Sequence, residues 1–529
     1  MVIVGAGFAG MYMLHRVRGI GLTARVLEAG GGVGGTWYWN RYPGARCDVE
    51  SMQYSYQFSD ELQQEWDWTE RYATQPEILE YANHVADRFD LRDDIQVDTR
   101  VAAATWDDAS ARWTIRTDAG EELRGRFLVM ATGCLSSANT PEFPGRDSFE
   151  GATYHTGRWP HEGVDFTGKR VGVIGTGSSA IQSIPIIAEQ AAQLYVFQRT
   201  AAYSVPAANR KLTADEVREV KDDYAAFRAF NSLMPTAIGS KLPIPETSAL
   251  DLPPEERERV YEQRWEEGGL TFLGAFIDLL FSPEANDTAA GFVRAKIHSI
   301  VDDPAVADLL SPKTVIGCKR LCVDTGYFAT FNKPTVELVD VSETPIRKIT
   351  PHGLRVGDRE FELDAIVFAT GFDAMTGALL NIDIRGRGGQ SLRDAWEAGP
   401  RTYLGLGTVG FPNLFTISGP GSPSVLTNMI VSIEQHVEWI ADCMAYLGDN
   451  GFDRIEATQD AQDAWVEHVN AIADFTLFPS CNSWYLGANV PGKPRVFMPL
   501  LGFPPYVEKC NEVAAKGYEG FALVATSAS

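Results

Sequence analysis

The chain has 529 residues, with 46 Lys+Arg against 70 Asp+Glu and a net charge of −24. At roughly 150 residues per domain that length suggests three or four folding units, and the acidity repels nucleic acid and anionic membrane surfaces. Apolar residues at 45% and charged residues at 22% exclude a disordered or collagen-like chain, so any phosphate ligand must be held by local geometry and a few placed cations.

The run Met1–Val4 enters Gly5 directly, with no charged segment ahead of it. That predicts no secretory signal and a start clipped relative to the natural chain. Val2–Val4 predicts a buried strand, Gly5-Ala-Gly-Phe-Ala-Gly10 a tight turn, Phe8–Arg18 a helix, and Ala24–Glu28 the strand that completes a βαβ unit. Gly5, Gly7 and Gly10 suit the turn, backbone approach to a pyrophosphate, and close helix packing, with the helix N-terminus facing the phosphates. Glu28 can accept hydrogen bonds from a ribose diol and would repel a 2′-phosphate, so this unit suits FAD or NAD, not NADP. Residues 95–117 alternate in polarity and predict antiparallel hairpins, and Phe127–Gly133 predicts another strand of the first sheet.

A second unit of the same build follows. Val171–Ile174 leads into Gly175-Thr176-Gly177-Ser178-Ser179-Ala180, then a helix over Ser178–Gln190 and a strand over Gln193–Gln198. Arg199 and Thr200 stand where the first unit has Glu28, and a cation with a hydroxyl suits the 2′-phosphate of NADP. The charged, helix-favouring stretch of about 207–290 predicts an insertion capping this second domain. Residues 345–362 predict more hairpins, Ala365–Gly371 a strand, and Ser424–Tyr446 a partly buried helix stopped by Gly448 and Gly451. The polar end, Ala525–Ser529, and the lack of any apolar run of about 18 residues predict no membrane span.

Two dinucleotide sites of opposite ribose preference point to a hydride passing from NADPH to a flavin. Its onward route is narrowed by what is missing. The seven cysteines (47, 134, 318, 322, 443, 481, 510) include no CxxC and no framework of the secreted kind, which predicts unpaired thiols in a reducing cytoplasm. Cys318 and Cys322 lack the further ligands a metal site needs, so no metal is expected. No HExxH or GxSxG supports hydrolysis. Dioxygen is the remaining common acceptor.

Between the two nucleotide motifs, Phe149-Glu-Gly151-Ala-Thr-Tyr-His155-Thr-Gly-Arg-Trp159-Pro160 matches every fixed position of the FxGxxxHxxxW(P/D) fingerprint. On these residues the chain resembles the Baeyer–Villiger monooxygenases, in the phenylacetone and steroid monooxygenase branch. The segment 34–48, the Lys319-Arg320 pair and the block Trp484–Arg495 are similar to this family too.

The resemblance implies an α/β fold of two dinucleotide-binding, Rossmann-like domains. The FAD domain would be discontinuous, 1–137 and 373–529, and the NADP domain would span 138–372. The implied activity is NADPH- and dioxygen-dependent conversion of a hydrophobic ketone to an ester or lactone through a flavin C4a-peroxide. Arg320 matches the catalytic arginine and Asp48 its carboxylate partner; from the residues alone they read as a solvated cation and a surface acid. Thr36, Trp37, Trp39, Tyr54, Val101 and Met429 match flavin contacts, and one or two of Trp37, Tyr38 and Trp39 are expected only to pack. Arg46, Thr176, Gly177, Ser178, Ser179, Gln182 and Trp484 match contacts to NADP, with Lys319 joining Arg199 and Thr200 near the 2′-phosphate. Ser424, Val425 and Leu426 match a segment lining the substrate pocket. His155 is expected to hold the connection between domains rather than to exchange protons, and Cys47 to be a spectator. A monomer or weak oligomer is expected, without nucleic-acid or membrane partners. Two alternatives stay open: a flavin monooxygenase acting on nitrogen or sulfur, and a non-turnover FAD/NADP-binding redox sensor.

Overall fold

Short strands buried on both faces need cover on both sides, which parallel sheets flanked by helices provide. A computed structural model describes residues 1–525; the last four residues of the polar C-terminal tail lie outside them. Val2–Val4 is apolar and buried throughout and runs at the centre of a parallel five-stranded sheet. On one side lie Arg25–Leu27 and Ile95–Gln96, on the other Leu128–Met130 and Leu414–Thr416. Arg170–Ile174 is the centre of a second parallel sheet of the same plan. Gln193–Gln198 and Val336–Asp340 flank it on one side, Ala365–Phe368 and Ala152–His155 on the other. Each glycine-rich turn therefore follows a central strand, and each strand ending in Ala-Thr-Gly lies directly beside it.

The expected hairpins form, with one change. Val101–Asp107, Arg112–Thr117 and Glu122–Gly125 are antiparallel, as are Ile346–Thr350, Gly353–Val356 and Arg359–Glu362. Ile95–Gln96 instead joins the first parallel sheet beside Arg25–Leu27, because Ile95 buries its side chain in the first core.

The late helix starts at Met429 rather than Ser424 and runs to Asp449. Ser424 has a φ of +43°, which breaks a helix, and Asn428 caps the real start by accepting from Ile430 N at 3.2 Å. This helix packs along Phe8–Gly19, joined at its polar edge by Tyr12 Oη donating to Glu438 at 2.9 Å.

The helical insertion does more than cap the second domain. Its helices Pro254–Glu267 and Pro283–Ile300 bury Tyr261, Trp265, Val293 and Ile297 in the second core. Tyr224–Ser232 instead docks on the first. There the buried Arg228 donates to Gln63 Oε1 at 3.0 Å, Gln53 O at 3.2 Å and Ser55 Oγ at 2.8 Å. Three acceptors offset the cost of burying the guanidinium. Helical structure also continues past 290, through Pro304–Leu310. No helix among the described residues is long and apolar enough to cross a membrane.

Near Arg228, Glu434 is 2% exposed. Its Oε1 accepts from Gln57 N at 2.8 Å and Phe58 N at 3.1 Å, and its Oε2 has no partner. Burial raises the carboxyl from 4.5 to about 8. The folded chain therefore keeps a proton that the unfolded chain loses, so this group's contribution to stability is full below pH 4.5 and declines as pH rises to about 8. Glu434→Gln keeps the acceptor and removes the titration. Urea unfolding across that window should show a flatter pH dependence than the parent, with the largest relative gain near the upper end.

Candidate active site

In the first unit, a Cβ on Gly10 would lie 1.8 Å from Gly5 O, so only glycine lets the helix close onto the strand. Glu28 is buried; its oxygens accept from Ala6 N and Gly30 N, each at 2.7 Å. Burial raises its pKa, opposed by those two bonds. A carboxylate offers about four acceptor positions, so capacity for a ribose diol remains. Trp37 Nε1 donates to Tyr54 Oη at 3.2 Å, with the rings edge to face. Thr36 is exposed and Trp39 half-buried on the same short helix.

The second unit differs at the expected position. Thr176 Oγ1 donates to Thr200 O at 2.8 Å, tying the glycine turn to the end of the next strand. Arg199 is exposed beside Lys319, whose pKa is depressed by burial and then by the Arg199 charge. Neither cation forms an ion pair among the described residues. Two neighbouring cations without an acidic partner suit an anion such as a 2′-phosphate.

Other members of the expected nicotinamide-side set are held by protein atoms. Ser179 Oγ lies 3.1 Å from Thr156 Oγ1, and Ser178 Oγ 3.3 Å from Cys322 Sγ. Gln182 accepts from Tyr42 Oη at 2.8 Å and donates to Arg46 O at 3.1 Å, while the Arg46 guanidinium reaches Glu70 at 3.0 Å. Gln182 and Arg46 thus form a contact between the two nucleotide-binding parts.

Arg320 is the centre of the arrangement. Its Nε and Nη2 donate to the two Asp48 oxygens at 2.6 and 2.8 Å, and its Nη1 donates to Val425 O at 2.6 Å. Both ionic side chains are 22% exposed, so the pair is partly desolvated and stronger than a surface pair. Burial opposes the charge, yet the Asp48 carboxylate outweighs it and raises Arg320 above its ordinary value. Three segments meet here: the loop carrying Asp48, the loop 318–320, and the 3-10 turn Ser424–Leu426. Val425, Leu426, Met429 and Trp484 share one apolar cluster. Val101 lies elsewhere, packed with Val2 and Val4.

The fingerprint residues sit at the connection between sheets. A Cβ on Gly151 would fall 2.5 Å from the Phe149 ring and 2.6 Å from Asp364 O, so glycine lets Phe149 fold back. Trp159 is buried against Tyr154 and Phe166. His155 ends an edge strand; its Nδ1 accepts from Gly157 N at 2.9 Å and its Nε2 lies 3.3 Å from Asn139 O. Burial lowers its pKa. Asn139 belongs to one of two adjacent chain crossings: Asn139 N donates to Gly371 O at 2.9 Å, Asp373 N to Ser137 O at 2.8 Å and Met375 N to Cys134 O at 2.7 Å. The C-terminal block clasps the second crossing. Asn489 Nδ2 donates to Phe372 O at 2.7 Å, and Lys493 pairs with Asp373 and donates to Ala374 O at 2.6 Å.

One expectation is corrected. Cys318 and Cys481 form a disulfide, with Cα atoms 6.0 Å apart across a sequence separation of 163; nothing in their spacing announces it. The other five cysteines are free and buried, and burial raises the Cys47 thiol. Tyr42 and Tyr485 were also not singled out. Tyr485 is buried beside Arg320, and its place next to Trp484 was the available signal.

Two dinucleotide-type sheets joined by paired crossings, with a clamped arginine between them, define a two-nucleotide oxidoreductase architecture. Residues 2–225 match the family model described as pyridine nucleotide-disulphide oxidoreductase. A Baeyer–Villiger monooxygenase from Pseudooceanicola batsensis is 44% identical, covering 98% of this chain and 95% of the relative. Phenazine N-monooxygenase PhzNO1 from Lysobacter antibioticus is 42% identical, covering 99% and 96%. The solved structure of an oxidised steroid monooxygenase bound to NADP is 56% identical with a TM-score of 0.94, covering 99% of both chains. The chain belongs to the Baeyer–Villiger monooxygenase family.

Replacing Asp48 with Ala leaves Arg320 with a single carbonyl partner. Asp48→Ala is expected to cost roughly 1–3 kcal/mol in urea unfolding, whereas Cys47→Ser next to it should change activity little.

Proposed function

We propose that this protein is an FAD-containing, NADPH-dependent monooxygenase that converts a hydrophobic ketone to an ester or lactone. The observation that carries the reading is Arg320, clamped by Asp48 and Val425 O between the two dinucleotide sheets. The glycine turn with Glu28 fits FAD, and the Arg199–Lys319 pair fits NADPH, in keeping with the bound complexes of related structures. When bound, those cofactors supply the hydride and the activation of dioxygen.

The chain's own residues then have defined tasks. A guanidinium has five N–H donors; the clamp uses three, which leaves donors for an oxygen that gains negative charge. Held in a partly water-excluded site, that cation stabilises the developing charge without reorganising. Asp48 keeps it oriented and charged. Val425 ties the same guanidinium to the turn Ser424–Leu426, whose Ser424, Val425 and Leu426 would line the ketone pocket. Thr36, Trp37, Trp39, Tyr54, Val101 and Met429 are assigned to the flavin; Arg46, Thr176, Gly177, Ser178, Ser179, Gln182, Thr200 and Trp484 to NADPH. His155 is assigned to the crossings between domains, which we divide as 1–137 with 373–529, and 138–372. A cytoplasmic setting, dioxygen as co-substrate and a monomer or weak oligomer complete the proposal.

The similarity to a protein named phenazine N-monooxygenase favours heteroatom oxidation as a second reading. NADPH consumption by the yellow holoenzyme, with ketones of graded bulk and with an aromatic N-heterocycle, separates the two by product mass and structure. An ester or lactone one oxygen heavier than the ketone supports the first reading, an N-oxide the second; hydrogen peroxide alone would leave neither standing. Arg320→Ala should still let NADPH bleach the flavin while ester formation falls by about 100-fold or more; retained oxygenation removes its role. Arg199→Ala should raise KM for NADPH by about 10-fold, the order of a lost charge-assisted contact, and leave KM for NADH nearly unchanged. Equal changes would remove the 2′-phosphate assignment.

A further inference from the structure

The Cys318–Cys481 bond joins two segments that the active site needs in register. Cys318 directly precedes Lys319 and Arg320, and Cys481 lies just before Trp484. Each partner is anchored on its own side. Asn286, 3% exposed, donates to Leu279 O at 2.7 Å and Ile316 O at 2.8 Å and accepts from Ile316 N at 3.0 Å, pinning the chain that leads into Cys318. On the other side Cys481 N donates to Phe478 O at 3.0 Å, at the end of the helix-rich C-terminal region. Beyond Trp484 the block is held by noncovalent contacts: Asn489 and Lys493 at the crossing, Gly421 N donating to Met498 O at 2.7 Å, and the buried Tyr485, Leu486, Phe497 and Met498. Across this face Leu477 N also donates to Leu280 O at 2.9 Å and Leu280 packs in the same apolar cluster, and the disulfide adds a covalent tie to these noncovalent ones.

We propose that Cys318–Cys481 is a redox modification site that controls release of the nicotinamide cofactor. It rests on the assignment of Lys319 and Trp484 to the nicotinamide cofactor, next to the Arg320 clamp. With the bond closed, the Trp484 segment cannot swing away from the Lys319-Arg320 loop; with it open, only the noncovalent clasps hold the segment and it opens more often. Closure takes two electrons and two protons from the paired thiols, delivered to a small-molecule disulfide that becomes two thiols. Opening reverses this: a dithiol attacks the half-buried Cys481 sulfur, Cys318 leaves as thiolate and takes up a proton, and the second thiol of the reagent resolves the mixed disulfide. The other five cysteines are buried, which confines the exchange to this pair.

The test uses FAD-loaded enzyme without ketone. A digest under non-reducing conditions, read by mass spectrometry, reports the 318–481 linkage, and stopped-flow displacement reports NADP+ release. Treatment with oxidised glutathione should give the linked peptide. Dithiothreitol should remove it and speed NADP+ release by about 5-fold or more, the usual lower range of coupling between sites. Cys318→Ser and Cys481→Ser should each release at the fast rate with or without dithiothreitol. A missing linked peptide after oxidation, or a release rate unchanged by its reduction, overturns the proposal. If a serine variant does not fold, the parent enzyme with and without reductant still decides. Because no ketone turns over, failure of the ester-forming reading would leave this result intact.

Discussion

The arrangement depends on one partly desolvated ion pair. Arg320 comes from the loop that leaves the helical insertion, Asp48 from the loop after the short helix Thr36–Trp39, and Val425 from the turn ahead of the late helix. Each bond alone is ordinary. Together they make one guanidinium a common ligand of three segments far apart in sequence, so moving any of them costs charge-assisted hydrogen bonds in a medium where water cannot fully replace them. The cohesion of the site rests on this one guanidinium.

Around that clamp the molecule repeats a plan. Both sheets place a glycine turn after a central parallel strand, and the residue at the end of the next strand differs in charge, Glu28 in one and Arg199 in the other. The sheets are joined where two chain crossings run side by side, with His155 and Asn139 on one flank and Asn489 and Lys493 on the other. At this connection Gly151 lets Phe149 fold back, Trp159 fills the second core, and His155 lies against Asn139 O.

Much of this was legible in the sequence because it is local. Apolar triplets ahead of Gly5 and Gly175, the spacing of the glycines and the contrast of Glu28 with Arg199 are all short-range patterns, and the central strands and helices lie where those patterns put them. Helix Ser178–Gln190 and strand Gln193–Gln198 match residue for residue. Legibility failed where long-range packing competes with local pattern. Ile95 joined a sheet because a core lay beneath it, the late helix started after Ser424 because that residue adopts positive φ, and Tyr224–Ser232 crossed to the first domain because Arg228 found its acceptors there.

For the site, composition and periodicity could rank neither Asp48 nor Arg320; resemblance to a family drew attention to them, and the fold supplied the bond between them. The sequence by itself determined two glycine-turn units of βαβ build, with an acid at the end of one following strand and a cation at the other, and the absence of a CxxC pair, since turns, caps and short motifs act over a few residues. The tertiary structure alone decided that Arg320 meets both Asp48 and Val425, that Gln182 bridges to Tyr42, and that Cys318 meets Cys481. Those contacts join residues more than a hundred positions apart, and their formation depends on how the cores of both domains pack, which no local spacing encodes.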